Sequence, residues 1–204
     1  MVYYFRKGIE MRKPFLFVII SMLITSVFAA PFGLKMGMTL TEIENQCEGK
    51  PVFVQDDIYL VTPIKSHPLF EEYAVFVNKT AGLYKICAIS QAITVNKYGT
   101  ELKNAFDNIK DRISKTYGKP RVIDEIDKKS IWKDDNDWFT ALKEGARVLS
   151  AVWGENVQLA DNLNSVVLNC APDDRLIYYG KGIVILYYYF KNASIVEDEQ
   201  DSVF

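Results

Sequence analysis

Histidine is almost missing from this chain: His67 stands alone among 204 residues. That excludes most metal hydrolases, whose zinc sites take several imidazoles, and leaves any Ser-His or Cys-His nucleophile pair dependent on one ring in a Ser66-His67-Pro68 turn. No Gly-Lys-Ser/Thr phosphate loop, Gly-x-Ser-x-Gly elbow, His-Glu-x-x-His helix or Cys-x-x-Cys pair occurs. Charge of one sign is missing too, since 24 Lys and Arg face 26 Asp and Glu. A net charge of −2 gives no electrostatic reason to bind nucleic acid or an anionic membrane. The longest apolar run, Phe15 to Val27, is short of the roughly 20 residues that cross a bilayer. These absences point away from catalysis with a cofactor or metal, and we expect neither.

That apolar run does have a purpose. Arg12 and Lys13 precede it and small residues follow, with Val27 and Ala29 at the −3 and −1 positions of a cut after Ala29. This is the layout of a secretory signal peptide. Residues 1–29 are therefore expected to be a leader, with residues before Met11 an upstream extension or a mis-assigned start. No Cys follows the run, so no lipid anchor is indicated. The remainder, Ala30 to Phe204, carries 20 basic and 25 acidic residues, net −5, and is expected to be periplasmic or secreted and not membrane-spanning.

Export would place Cys47, Cys87 and Cys170 where disulfides form. Leu40, Ile43 and Cys47 share one helix face, and Cys87 has the strand parity of Leu83, Ile89, Ile93 and Val95. A Cys47–Cys87 bridge pinning helix to sheet is the expected pairing, stabilising by about 3–4 kcal/mol in the chain-entropy account. Cys170, alternating with Val166 and Leu168, reads as a buried inert thiol, although pairing with Cys170 stays open.

Punctuation along the chain suggests a repeat. Thr39-Leu40-Thr41-Glu42 fits a capping box that opens a short amphipathic helix ending near Cys47. Gly49-Lys50-Pro51 then leads into strand-like stretches at 52–54, 58–61, 73–77 and 82–95. A second helix starts at Thr100, with Leu102, Ala105, Phe106, Ile109 and Ile113 on one face. It too ends in Gly-Lys-Pro, at 118–120, before strands at 121–126, 147–153, 165–171 and 183–190. Asp134, Asp135 or Asp137 caps a further helix through Trp138, Phe139 and Leu142. The expected fold is α+β: two tandem units of helix on a mostly antiparallel sheet, 30–97 and 98–191, then an acidic disordered tail, 192–204.

The string from Gly33 to Ile43, with Gly37-Met38-Thr39 and Glu42-Ile43 followed by Gly49-Lys50-Pro51, resembles a known helix signature. It is that of the small exported domains shared by β-lactamase-inhibitor-protein-like proteins and the outer-membrane-assembly lipoprotein domain. The resemblance implies helices on an antiparallel sheet, two units in tandem, and a noncatalytic module that binds another exported or envelope protein through its sheet face and loops. The second unit departs from it, with Tyr98-Gly99-Thr100 at the start and Lys103 where the capping Glu would stand.

Candidate chemistry is sparse. Asp134, Asp135 and Asp137 lack the glycine and closing Glu of a calcium loop. Clustered carboxylates, with Asp124, Glu125 and Asp127 added, would serve an exported hydrolase, the alternative reading; a small-ligand carrier is another. Asn78-Lys79-Thr80 and Asn192-Ala193-Ser194 match glycosylation sequons. Aromatics are the richer signal: 12 Tyr and 3 Trp, including Tyr178-Tyr179 and Tyr187-Tyr188-Tyr189-Phe190. One alternate pair of the latter run must point away from the helices. Trp132, Trp138, Tyr178, Tyr179, Tyr187 and Tyr189 are thus the candidate contact residues of a protein-binding module, inhibitor or envelope-assembly accessory in type.

Overall fold

The computed structural model describes residues 30–175 and 180–201. Residues 1–29, expected to be a leader, and Tyr178 and Tyr179 lie outside the described residues.

The chain is α+β. After a single 3-10 turn it forms α1 (Leu40–Glu44), β1 (Val52–Gln55), β2 (Ile58–Val61), β3 (Phe70–Asn78), β4 (Gly82–Ser90) and the two-residue β5 (Ile93–Thr94). Then come α2 (Thr100–Tyr117), β6 (Arg121–Ile126), α3 (Trp138–Lys143), β7 (Arg147–Trp153), β8 (Leu163–Pro172), β9 (Lys181–Phe190) and α4 (Ala193–Asp201). All strands belong to one antiparallel sheet of nine, in the order β1-β2-β3-β4-β9-β8-β7-β6, with β5 beside β9. Two four-strand meanders therefore meet through their last strands, β4 and β9.

Local chemistry explains the boundaries. Thr39 caps α1 as expected: its hydroxyl accepts from the Glu42 N–H, and the Glu42 carboxylate accepts from the Thr39 N–H at 2.8 Å. At α2 the left-handed Gly99 supplies no side-chain cap. Asn96 substitutes, its Oδ1 accepting from the N–H groups of Tyr98 and Thr100 while Glu101 accepts from Asn96. Both Gly-Lys-Pro turns stand directly before the first strand of a meander, with Gly49 and Gly118 at positive φ.

One core lies on the helix-covered face. Ile43 of α1, Leu102, Phe106, Ile109 and Ile113 of α2, and Phe139 and Leu142 of α3 pack with Val75, Ile86, Ala88, Leu168, Leu186 and Tyr188 in a single cluster. Both meanders contribute to it.

Three expectations need correction. The long strand 82–95 is broken after Ser90, whose buried hydroxyl accepts from the Val184 N–H at 2.9 Å and covers the gap before β5. The tail is not wholly disordered, because α4 forms and buries Val196. Finally, Cys47, Cys87 and Cys170 are all free, buried thiols. Tyr84 is an extra residue in β4, between the pairs Phe76↔Lys85 and Val77↔Leu83. This bulge reverses the parity, so Leu83 belongs to the core while Cys87, opposite Tyr187, points to the other face. Cys47 stays in the core cluster, and the sheet separates the two thiols expected to pair.

Candidate interaction surface

Pairing across β3, β4, β9 and β8 fixes which side chains share the face away from the helices. Directly opposed residues of an antiparallel ladder project to the same side. The register Phe76↔Lys85↔Tyr189↔Ser165 makes one row, and Ala74↔Cys87↔Tyr187↔Val167 the next. Tyr188 and Phe190 go into the core, leaving Tyr187 and Tyr189 half-buried on this open face. Among the described helices only α4 adjoins it, where Ser194 and Glu197 line a cleft with Tyr189 and Ser165.

At the centre lies Lys85. Its ammonium sits 4.4 Å from the Phe76 ring centroid, 4.9 Å from Tyr187 and 5.0 Å from Tyr189. The two tyrosine rings lie 6.0 Å apart, and Tyr84 meets Phe76 edge-on at 6.1 Å. A cation shared by three electron-rich faces holds the rings in a fixed array. Partial burial lowers the Lys85 pKa from its ordinary value and raises that of Tyr187 to about 12. The neighbouring Cys87 thiol is pushed up to about 11, again chiefly by burial, so it is a packing group and not a nucleophile at neutral pH.

Other candidates fall elsewhere. Trp138 is only 3% exposed and cannot meet a partner: it stacks in the core, with the Lys103 ammonium 4.3 Å and the Arg147 guanidinium 5.7 Å from its ring. Its burial corrects the expectation of a contact residue. Trp132 is half-buried in the loop between β6 and α3, its backbone N–H donating to the Ser130 hydroxyl. Sequence reasoning missed Phe76, Tyr84 and Lys85, which only the bulge at Tyr84 brings together.

The carboxylates do not assemble into a cleft. Asp124 pairs with Arg147 on the helix side, while its neighbour Glu125, being next along the strand, faces the other way. Asp127 accepts from the Lys129 N–H in a turn, and Asp134 precedes the 3-10 turn Asp135–Asp137. Among the described residues no group of three or more His, Cys, Asp or Glu could hold a metal ion. His67 is engaged locally, its Nδ1 accepting from the Leu69 N–H at 3.2 Å. It lines a depression of about 240 Å³ with Phe32, Arg112, Tyr117 and Tyr188, and the cleft beside Tyr189 and Ser165 is larger, about 460 Å³. Both sequon asparagines are occupied: Asn78 Oδ1 accepts from the N–H groups of Thr80 and Ala81, and Asn192 Nδ2 donates to the carbonyls of Ala81 and Leu83. No helix of the described residues is long and apolar enough to cross a membrane. Against this geometry, no family model, no curated protein and no solved structure matches the chain.

Proposed function

We propose that this chain is an exported, noncatalytic protein-binding module that engages another envelope or secreted protein through the open face of its sheet. One observation carries the reading: Phe76, Tyr187 and Tyr189 are arrayed around Lys85 on a sheet face that α1, α2 and α3 leave bare. Pre-ordered tyrosines offer large contact area at small entropic cost. Steric and interfacial contact, not bond-making, is the mechanism. We also read the two meanders, each preceded by a helix and a Gly-Lys-Pro turn, as tandem copies of one unit covering 30–97 and 98–191. The leader reading supports export, and a protein recovered from the envelope should begin at Ala30.

The test is a photo-crosslinking residue placed at Tyr189 and, as a control on the exposed side of α2, at Lys115, in cells expressing the whole chain. A discrete adduct from position 189 alone, lost on adding Tyr187→Ala, is the expected result. Equal labelling from both positions, or none from either, would refute the open-face reading.

A further inference from the structure

The two rims of the sheet are protected very differently. On one rim β6 carries Arg121, Asp124 and Glu125, and ion pairs tie Arg121 to Glu155 and Asp124 to Arg147. Charges at an edge discourage pairing with another chain. On the other rim β1 reads Val52-Phe53-Val54-Gln55, with no charge and every residue exposed. Val52 is 61% and Phe53 60% open to solvent, beside an exposed Leu60. An apolar edge with an unpaired backbone side is a template for another strand.

The flanks of β1 indicate which strand. Lys50 stands just before it and Asp56 and Asp57 just after, and none of the three makes an ion pair among the described residues. Laid antiparallel on itself about a two-fold axis centred at Phe53, the strand sets Lys50 opposite Asp56 of the other copy. Centred between Phe53 and Val54, it sets Lys50 opposite Asp57. Either register brings opposite charges together at both ends, and the apolar residues meet their own kind between them. We propose that β1 is the contact through which two copies of this chain associate, edge to edge and antiparallel. The register slips between Phe53 and Gln55, so the shared ladder is short and the association is transient, at the small end of protein interfaces. β2, β3 and β4 separate this rim from β9, so the proposal stands independently of the open-face reading.

Sedimentation velocity of the protein recovered from cells expressing the whole chain, from about 1 to about 500 μM, tests it in the range expected of transient pairs. The expected result is a concentration-dependent rise to twice the monomer mass, with the β1 amides gaining hydrogen-exchange protection over the same range. Val54→Lys should weaken association about tenfold or more by setting an ammonium against Val52 or Phe53 of the other copy, and Lys50→Glu by a similar factor because a carboxylate then faces Asp56 or Asp57. Lys50→Glu combined with Asp56→Asn and Asp57→Asn removes that repulsion and should regain part of the loss. Lys50, Val54 and Asp56 are exposed, while Asp57 is half-buried in the turn and accepts from Asn78 Nδ2, so an unchanged near-ultraviolet spectrum is required of each variant to verify the fold. A monomer throughout the range, a dimer indifferent to both single variants, or β1 amides protected only when a different protein is added would each overturn the proposal.

Discussion

Buried acids of high pKa set the alkaline behaviour of this protein residue by residue. Cys87 is held up to about 11 and Tyr187 to about 12, and burial moves Cys47, Cys170, Tyr73, Tyr84 and Tyr189 in the same direction. An unfolded thiol ionises near 8.5 and an unfolded phenol near 10. A group whose folded pKa is raised contributes stability that is complete below its unfolded pKa and is lost as pH climbs through the folded one. The thermal midpoint should therefore fall steadily from about pH 8.5 to about pH 11, and Cys87→Ala should flatten part of that slope. A midpoint that is level or rising across this window would contradict the burial of these groups. The sequence made half of this legible. Alternation in Tyr187-Tyr188-Tyr189-Phe190 showed that one pair must leave the core, but which pair depends on where α2 lands, and α2 packs on β9 from about 80 residues away in sequence.

Elements were easier to read where a single side chain sets the boundary. The capping box at Thr39, the apolar face of α2 and the Gly-Lys-Pro stops follow from local hydrogen bonding and conformational preference, and they stand where the residues put them. Bulges are harder, because a strand with one extra residue has no fixed parity; Tyr84 hid both the true face of Cys87 and the site around Lys85. The end of the chain was misread for a similar reason, since acidic composition says nothing of Val196 finding a buried seat or of Asn192 clamping the turn before β4. Gly99 shows how tightly one element fixes another. It caps α2 at φ 73°, and a Cβ there would lie 1.9 Å from Cε3 of Trp138. Gly145 has a similar φ of 67° with nothing within 4 Å of an added Cβ. In urea denaturation Gly145→Ala should cost about 1 kcal/mol from backbone strain alone, and Gly99→Ala about 3 kcal/mol or more because Trp138 must also move. Equal costs would show that Trp138 does not depend on the close approach of that backbone.

At the scale of the whole molecule, the two meanders share one core and do not stand apart in space. One cluster takes Val75 and Ile86 from the first meander and Leu149, Leu168 and Leu186 from the second, with Ile43 of α1 beside them and α2 laid across them. Phe106, 1% exposed in that cluster, is the natural probe. Phe106→Ala should cost about 4 kcal/mol and leave a single unfolding transition, with hydrogen exchange in β3 and β7 accelerated together. Retained protection in β3 beside lost protection in β7 would mean that the halves are separate folding units.

The meeting of β4 with β9 bears on how the chain reaches this state at all. Lys85 pairs with Tyr189, so the middle of the sheet closes only after a loop of roughly a hundred residues has been ordered. Among the described residues β9 is the last strand in chain order and the one that the centre waits for. Until it arrives, each half carries an unfilled inner edge as well as an outer rim, a state in which nascent chains stick to one another. Completion of the sheet is thus a final step, and a chain cut short before Lys181 keeps nearly all its strands yet lacks the one that joins them.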